Sequence, residues 1–386
     1  MQKRFALKLV ATCALALSAG VTFAQDAIKL AVIVELSGGG VVSGTNFRDG
    51  IKLAVNEINA AGGIMGKKIA MTEMDTQTNP GVAKGLAQKA IDDGAFAIFG
   101  PVFSGSILVS MAESRKAEVP NWTGGEASSI TAQGNPYIFR TSFGQATSFP
   151  KISKYITSKY KTIAVIYQNN DFGKGGRDAI VANLKDSPTK IVAEIATEPN
   201  QLDFSSAVIR AKNANADATF IYVTEEESAR ALREFKKQGY NKPLIGETTL
   251  TGQKVIELAG DAATGAFAHV GLTIDAPIPE MLAFKAKFYK AYNYFTDHNG
   301  IKGYTGVYTM KAAIEKAGKL DRKAVAQAMK GFKISAKKHP GVIMDTQFDD
   351  KGDIDRESFL VEVKNGRQEV VATLPPLNAA VPVAKK

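Results

Sequence analysis

Short runs of β-branched residues alternate with helical patterns along most of the chain. Ile28–Val34 is apolar apart from Lys29, and this run predicts a buried strand. In the segment that follows, apolar residues recur at the spacing of a helix lying on a sheet, and they are Phe47, Ile51, Ala54, Val55 and Ile58. This spacing predicts a helix over residues 46–61.

The alternation continues in two series of elements. The first series predicts strands at 68–74 and 96–99 and a short strand ending near Trp122, with helices at 80–92 and 106–116. The second series predicts strands at 162–167, 190–195, 218–223 and 243–246, with helices at 150–159, 175–184, 204–213 and 228–238. Three or more βα units in series predict a parallel sheet covered by helices.

The length of the chain, 386 residues, exceeds one ordinary hydrophobic core. We therefore predict an α/β fold of two lobes. Helical patterns at 279–292 and 305–317 do not extend the second series and are predicted to return to the first lobe, so the lobes share hinge strands. The predicted divisions are a signal peptide (1–24), a first lobe (25–142 and 277–345), a second lobe (143–276 and 346–374) and a flexible tail (375–386).

The N-terminal segment is typical of a secretory signal. Lys3, Arg4 and Lys8 are followed by an apolar run to Ala19, and small residues before Gln25 suit cleavage. The run is too short to cross about 30 Å of hydrocarbon, so we predict export to the periplasm. Cysteine occurs once, inside this segment, and the mature chain is long enough to bury a core without disulfides.

The charge of the chain is mildly basic. There are 48 Lys and Arg against 38 Asp and Glu, and removing three basic residues of the predicted signal leaves 45 against 38, a net charge of +7. A nucleic-acid site requires basic residues clustered with aromatics, whereas these lysines are spread over every predicted helix. We therefore predict no nucleic-acid binding.

A glycine-rich loop, Gly38 to Gly40 with Gly44, follows the first strand, and Asp75 closes the second. This order resembles a dinucleotide-binding fingerprint, and an exported nucleotide-dependent oxidoreductase is the alternative class that it leaves open. An exported protein has no ready supply of nicotinamide or flavin. Because such a loop also lets any ligand approach the backbone, we predict no cofactor.

Signatures of catalysis and of metal binding are weak. His269, His298 and His339 lie in different contexts, and no Gly-x-Ser-x-Gly motif occurs. The acidic run 225–227 consists of consecutive helical residues that do not converge on one point, and its charges favour a helix N-terminus. We predict no catalytic residue and no metal site, so the protein is not expected to be an enzyme.

Two loops combine glycines with hydroxyl groups after neighbouring strands. Residues 100–106 contain Ser104 before a helix, and residues 123–129 contain Gly124 and Gly125. Backbone N–H groups at a helix start lack intrahelical partners, so a carboxylate could bind there, although simple N-capping remains the alternative. Both loops should line one cleft at the carboxyl edge of the sheet. Trp122 beside them is either a wall of that cleft or a core residue.

Three segments are distinctive in this order: residues 59–69, Gly100-Pro101 with Ser104, and residues 170–175. Together they resemble the leucine/isoleucine/valine-binding family, the type I periplasmic substrate-binding proteins of ABC transporters. The resemblance spans essentially the whole mature chain. It implies two Rossmann-like lobes joined by three hinge strands, which close over a small carboxylate-bearing ligand without performing chemistry. The implied partner is a membrane permease, and we expect a monomer.

The resemblance also implies the ligand-binding residues. Ser104 and amides near Phe103 and Gly124 would hold the carboxylate, and Phe172 would close over the ligand from the second lobe. The full set of candidates is Val102, Phe103, Ser104, Gly124, Gly125, Glu126, Phe172, Thr224 and Thr248.

The sequence departs from the amino-acid binders of that family where they hold the ligand ammonium. Glu126 stands in place of a first-lobe hydroxyl and Thr248 in place of a second-lobe carboxylate, while Thr224 and Ser43 stand where tyrosines are common. A buried ammonium needs a paired charge, which could come from one of three residues, Glu126, Glu225 or Glu247. We predict a branched-chain or other apolar amino acid as ligand. An aromatic or aliphatic carboxylate without an ammonium is the alternative.

Overall fold

The computed structural model describes residues 27–378. The predicted signal peptide and residues 379–386 of the predicted tail lie outside this range. The strands are β1 (Ile28–Val34), β2 (Ile69–Asp75), β3 (Ala97–Phe99), β4 (Asn121–Thr123), β5 (Ile138–Arg140), β6 (Thr162–Gln168), β7 (Lys190–Thr197), β8 (Ala218–Tyr222), β9 (Leu244–Gly246), β10 (Phe267–Val270), β11 (Lys333–Ile334), β12 (Thr346–Phe348), β13 (Ile354–Asp355), β14 (Ser358–Lys364) and β15 (Arg367–Leu374).

The strands form three sheets, and helices cover the two larger ones. The helices are α1 (Val41–Ala60), α2 (Pro80–Asp92), α3 (Ser104–Ala117), α4 (Ser129–Ala132), α5 (Gln145–Lys159), α6 (Asp171–Leu184), α7 (Ser205–Asn213), α8 (Glu225–Lys237), α9 (Thr248–Thr251), α10 (Gln253–Ala259), α11 (Pro279–Tyr292), α12 (His298–Ala317) and α13 (Arg322–Met329). Between residues 27 and 378 none of these helices combines the length and apolar character that a membrane span requires. The predicted α/β fold of two lobes is confirmed.

The first lobe is built on a parallel five-stranded sheet in the order β2-β1-β3-β4-β5. Trp122 on β4 is fully buried, and its ring lies 5.5 Å from that of Phe99 and 5.2 Å from that of Phe139. It is therefore a core residue, and the alternative that it forms the cleft wall is wrong.

The second lobe is built on a seven-stranded sheet in the order β15-β14-β10-β9-β8-β6-β7. The strands from β10 to β7 run parallel, and β14 with β15 adds an antiparallel hairpin from the end of the chain. The chain crosses between the lobes three times, at 141–144, 271–278 and 356–357.

Helix α12 packs closely on α1 through glycines. A Cβ added to Gly50 would lie 2.0 Å from the carbonyl oxygen of Gly300, and one added to Gly303 would lie 2.1 Å from that of Phe47. A larger residue at either position would separate the two helices. This contact returns the chain to the first lobe and brings the start of α12, from His298 to Lys302, to the cleft.

One segment lies elsewhere than predicted. The sequence predicts residues 346–355 in the second lobe, but β12 pairs with β11, and Phe348 and Ile354 belong to the same hydrophobic cluster as the core residues of β1 and α1. The N–H of Arg140 also donates to Gly352. We therefore propose a lobe boundary near residue 356 instead of 345.

The described part of the predicted tail is held in place. The backbone N–H groups of Leu377 and Asn378 donate to the carboxylate of Asp355 at 3.1 and 3.0 Å. The hydrogen bonds to Asp355 therefore fix the chain as far as residue 378.

Candidate ligand site

A cavity of about 300 Å³ lies between the two lobes at the carboxyl ends of their parallel strands. The first turns of seven helices reach it, α1, α2, α3 and α12 from the first lobe and α6, α8 and α9 from the second. Several helix starts thus direct unpaired N–H groups and polar side chains toward one space.

The structure places eight of the nine candidate residues on the wall of this cavity. They are Val102, Phe103, Ser104, Gly124, Gly125, Glu126, Phe172 and Thr224. Thr248 does not line it, because the cavity is reached by the next residue of α9, Thr249. Thr248 instead lines a small separate space with Glu247.

The two hydroxyl-and-glycine loops meet on the first-lobe wall. Phe103 is the extended N-cap residue of α3 and supplies no side-chain cap, so the N–H groups of the first turn face the cavity without an intrahelical partner. The hydroxyl oxygen of Ser104 accepts a hydrogen bond from the N–H of Ala127 at 3.2 Å, which ties one loop to the other. The Ser104 proton remains free to donate to a ligand oxygen.

Glu35 lies behind this wall, and sequence reasoning missed it. Its carboxylate accepts hydrogen bonds from the N–H groups of Val102 and Phe103, both at 3.1 Å, and so fixes the loop before α3. The residue is fully buried, and burial raises its pKa to about 7. Its place one residue after β1, at the carboxyl edge of the sheet, was the available signal.

Glu35→Gln should reduce the pH dependence of stability. The pKa of Glu35 is raised from 4.5 to about 7 in the folded protein, so its contribution is fully present below the unfolded value and is lost as the pH rises through the folded one. We expect the melting temperature to fall between about pH 5 and about pH 8, and to fall less in Glu35→Gln. Thermal denaturation at both pH values measures this.

Glu73→Gln on β2, exposed at the surface, is the control and should behave as the wild type. An equal fall of the melting temperature in all three proteins would show that Glu35 does not contribute to the pH dependence of stability.

Glu126 already has partners. Lys302 lies 3.2 Å from one carboxylate oxygen, and the hydroxyl of Tyr222 donates to the other at 3.2 Å. Lys302 also donates to the carbonyl of Gly124 at 3.3 Å. Since Tyr222 belongs to the second lobe, this network connects the lobes across the back of the cavity.

Glu225 and Asp297 form an acidic corner of the site. The amide of Asn299 donates to Glu225 at 3.1 Å and to Asp297 at 3.3 Å, and His298 Nε2 lies 3.7 Å from Glu225. Burial raises the pKa of both carboxyl groups, that of Asp297 to about 7, and lowers the pKa of His298, which is therefore neutral.

The acidic corner could in principle ligate a metal ion, because one donor atom each from Glu225, Asp297 and His298 lies within 4.8 Å of the others. The Asn299 amide already donates to both carboxylates, however, and the positive charge of Lys302 acts on all three groups. These contacts disfavour a metal ion at the acidic corner.

Glu247, the third carboxylate that could serve an ammonium, does not line the cavity. It is buried against His269, whose Nδ1 lies 3.0 Å from it. Of the three candidates, Glu225 therefore lines the cavity without a lysine or arginine partner within 4 Å among residues 27–378.

The glycine-rich loop after β1 has a structural explanation. Asp75 accepts hydrogen bonds from the backbone of Leu36, Ser37 and Gln77, so its carboxylate organises the loop itself. A Cβ on Gly44 would lie 2.0 Å from the carbonyl oxygen of Glu35. Helix α1 thus approaches β1 closely. Gly44 and Asp75 both have structural roles, so they no longer support the dinucleotide interpretation.

Comparison with known proteins agrees with this geometry. Residues 27–368 match the family model described as "Periplasmic binding protein". The leucine-, isoleucine-, valine-, threonine- and alanine-binding protein of Pseudomonas aeruginosa is 27% identical over 363 residues, which cover 92% of this chain and 94% of that protein.

Solved structures show the same fold. A solute-binding protein of an ABC transporter from Rhodopseudomonas palustris, in complex with 3,4-dihydroxybenzoic acid, aligns with a TM-score of 0.83 at 25% identity and covers 91% of this chain and 98% of its own. The branched-chain amino acid transporter substrate-binding protein LivJ of Streptococcus pneumoniae, in complex with isoleucine, aligns at 0.81 and 24%, covering 91% and 100%. The resemblance predicted from the sequence is confirmed, and the chain belongs to the periplasmic binding protein family, the ligand-binding components of ABC transporters.

Proposed function

We propose that this protein captures an apolar amino acid in the interlobe cavity and presents it to the permease of an ABC transporter. One observation carries the choice of ligand: Glu225 is a buried carboxylate on the cavity wall with no lysine or arginine within 4 Å in the described chain. A buried charge requires a compensating partner, which a ligand ammonium supplies. The free N–H groups at the start of α3 would hold the ligand carboxylate.

The remaining wall suits an apolar ligand side chain. Val102 and Phe103 contribute from the first lobe and Phe172 from the second, with Pro80 and Pro199 at the margins. Phe172 stacks on Tyr222 with ring centroids 4.2 Å apart, so its ring is supported from behind. Burial of an aliphatic side chain here contributes about 1.5–3 kcal/mol to binding.

Closure of the lobes is the proposed mechanism. The described structure has the lobes in contact, since Glu126 of the first lobe accepts from Tyr222 of the second and Asn299 donates to Glu225. A ligand that touches both walls stabilises this arrangement relative to an open one, because only the closed form offers both sets of contacts.

Cellular context follows from the same proposal. The predicted signal peptide would export the chain to the periplasm, where a monomer would bind ligand and dock on a permease. No chemical step is assigned to the site, because His298 is neutral and buried and no nucleophile is paired with it in the described residues.

A carboxylate without an ammonium, aromatic or aliphatic, is the second candidate. Aromatic rings from opposite lobes, Phe103 and Phe172, line the cavity and could enclose a planar ligand. The relative from Rhodopseudomonas palustris, in complex with 3,4-dihydroxybenzoic acid, is consistent with such a pocket in this family. Against it stands Glu225, which would remain without a cationic partner.

A thermal-shift screen separates the two candidates. A ligand at 100 times its Kd adds about 2.7 kcal/mol to the free energy of unfolding. We expect stabilisation by apolar amino acids and little by benzoate or 4-methylpentanoate. Stabilisation by the plain carboxylates alone would favour the second candidate, and no response to either class would contradict the proposal.

Ser104→Ala should weaken binding of the carboxylate ligand about tenfold, the equivalent of one lost hydrogen bond of ~1.4 kcal/mol. The variant removes the ligand contact and the acceptor for the N–H of Ala127. Titration calorimetry measures the change. Ser110→Ala, in the same helix but remote from the cavity, is the matched control. Unchanged affinity in Ser104→Ala would remove Ser104 from the site.

A further inference from the structure

A second, much smaller space lies at the hinge, and we call it the hinge compartment. All three chain crossings line it, the first with Ser142 and Phe143, the second with Gly271 and Leu272, and the third with Arg356. Its free volume of about 10 Å³ admits roughly one water-sized sphere. Glu126, His298 and Lys302 stand in the wall that separates it from the ligand cavity.

Arg356 is a buried cation without a counter-ion. It is 4% exposed, and within residues 27–378 its Nε and Nη2 have no hydrogen-bond partner and no carboxylate approaches within 4 Å. Its guanidinium lies 5.2 Å from the centre of the Phe143 ring. Burial lowers its pKa to about 10, as expected for a charge that lacks a partner.

Lys151 is a second buried cation at the same ring. Its Nζ lies 4.9 Å from the centre of Phe143 and donates to the carbonyl of Arg356 at 3.1 Å and to Ser358 Oγ at 2.9 Å. In the described chain it too lacks a carboxylate within 4 Å. Burial lowers its pKa to about 8, although Asp355, Glu247 and Glu357 act in the opposite direction from a distance.

Neither of the two carboxylates that line the compartment, Glu126 and Glu247, lies within 4 Å of Arg356 or Lys151. Glu126 is neutralised by Lys302 at 3.2 Å. Glu247 is hydrogen-bonded to Nδ1 of His269, and burial raises the pKa of Glu247 well above the ordinary range. Arg356 therefore borders the hinge compartment without a counter-ion within 4 Å among residues 27–378, and an uncompensated buried charge is strongly unfavourable.

We propose that the hinge compartment binds a monatomic inorganic anion of the size of chloride, with Arg356 as its principal partner and Lys151 as a supporting charge. The small volume excludes phosphate, sulfate and carboxylates. Because residues of all three crossings surround it, the anion stiffens the hinge on which the lobes move. This inference does not depend on the identity of the ligand in the large cavity.

Bromide is the probe for a direct test. Crystals of the mature wild-type protein in sodium bromide should show an anomalous difference peak beside the Arg356 guanidinium. Crystals of Arg356→Gln should lack it. A compartment that holds water only, with no anomalous peak in the wild type, would overturn the proposal.

A solution measurement accompanies it. Replacing sodium gluconate by sodium chloride at constant ionic strength should raise the melting temperature of the wild type by roughly 2–4 °C and leave that of Arg356→Gln unchanged. Arg177→Gln is the matched control, because Arg177 also lies over an aromatic ring but is paired with Asp178 and Glu194. It should respond as the wild type does. An equal rise of the melting temperature in Arg356→Gln would contradict the proposed anion site. If that variant does not fold, the presence or absence of the bromide peak in the wild type tests the proposal.

Discussion

Glu225→Gln is expected to weaken the binding of an apolar amino acid by about 30-fold or more, the equivalent of about 2 kcal/mol or more, because it removes one member of a buried charge pair. The substitution keeps the size of the side chain and its hydrogen bond with Asn299, so the change isolates the negative charge. Titration calorimetry with L-leucine measures the loss. The variant should also be no less stable than the wild type, since burial opposes the charge of Glu225 in the ligand-free protein.

Glu226→Gln is the matched control for this experiment. Glu226 is the next residue of α8, but it does not line the cavity and is paired with Arg230. Its substitution should leave the affinity unchanged. If Glu225→Gln binds leucine as tightly as the wild type, Glu225 is not the ammonium partner, and the second candidate ligand class gains support.

Lys302→Met should lower the free energy of unfolding by about 3–5 kcal/mol, because it leaves Glu126 buried without its counter-ion. The side chain of Lys302 is 4% exposed and that of Glu126 is 12% exposed, so solvent cannot replace the lost partner. Denaturant unfolding of the ligand-free protein measures the change.

A double variant separates the charge from the packing. Glu126→Gln combined with Lys302→Met should recover part of the loss, because no unpaired charge remains. Lys311→Met is the control in the same helix, since Lys311 forms a surface pair with Glu315 that contributes about 0–1 kcal/mol. Strictly additive effects of the two substitutions in the double variant would show that Lys302 and Glu126 are not coupled.

Much of the fold could be predicted from apolar periodicity, but the starts of the cleft helices could not. Four helices were predicted to begin at 46, 175, 228 and 305, whereas they begin at Val41, Asp171, Glu225 and His298. Their first turns reach the cavity and carry polar residues such as Ser43, Glu225 and Asn299, which are buried. Apolar periodicity begins only after these turns, so it places the helix starts too late.

Residues close to their strand in sequence could be assigned to the site, and distant ones could not. Ser104 and Gly124 follow β3 and β4, and the rule that ligands lie at the carboxyl ends of parallel strands was sufficient to place them together. The same rule applied to β1 would have found Glu35. Lys302 and Asn299, by contrast, reach the cavity only because α12 returns to pack on α1, and no local pattern encodes that return.

The most direct test of the proposed function is titration calorimetry of the purified mature protein with three matched compounds. L-Leucine carries both charged groups, 4-methylpentanoate lacks the ammonium and 3-methylbutylamine lacks the carboxylate. Binding of leucine at least about 100-fold tighter than either analogue is the predicted result, because each analogue leaves one wall of the cavity without its partner. Equal or tighter binding of 4-methylpentanoate would contradict the assignment of Glu225 and Ser104 to the two ends of one amino acid.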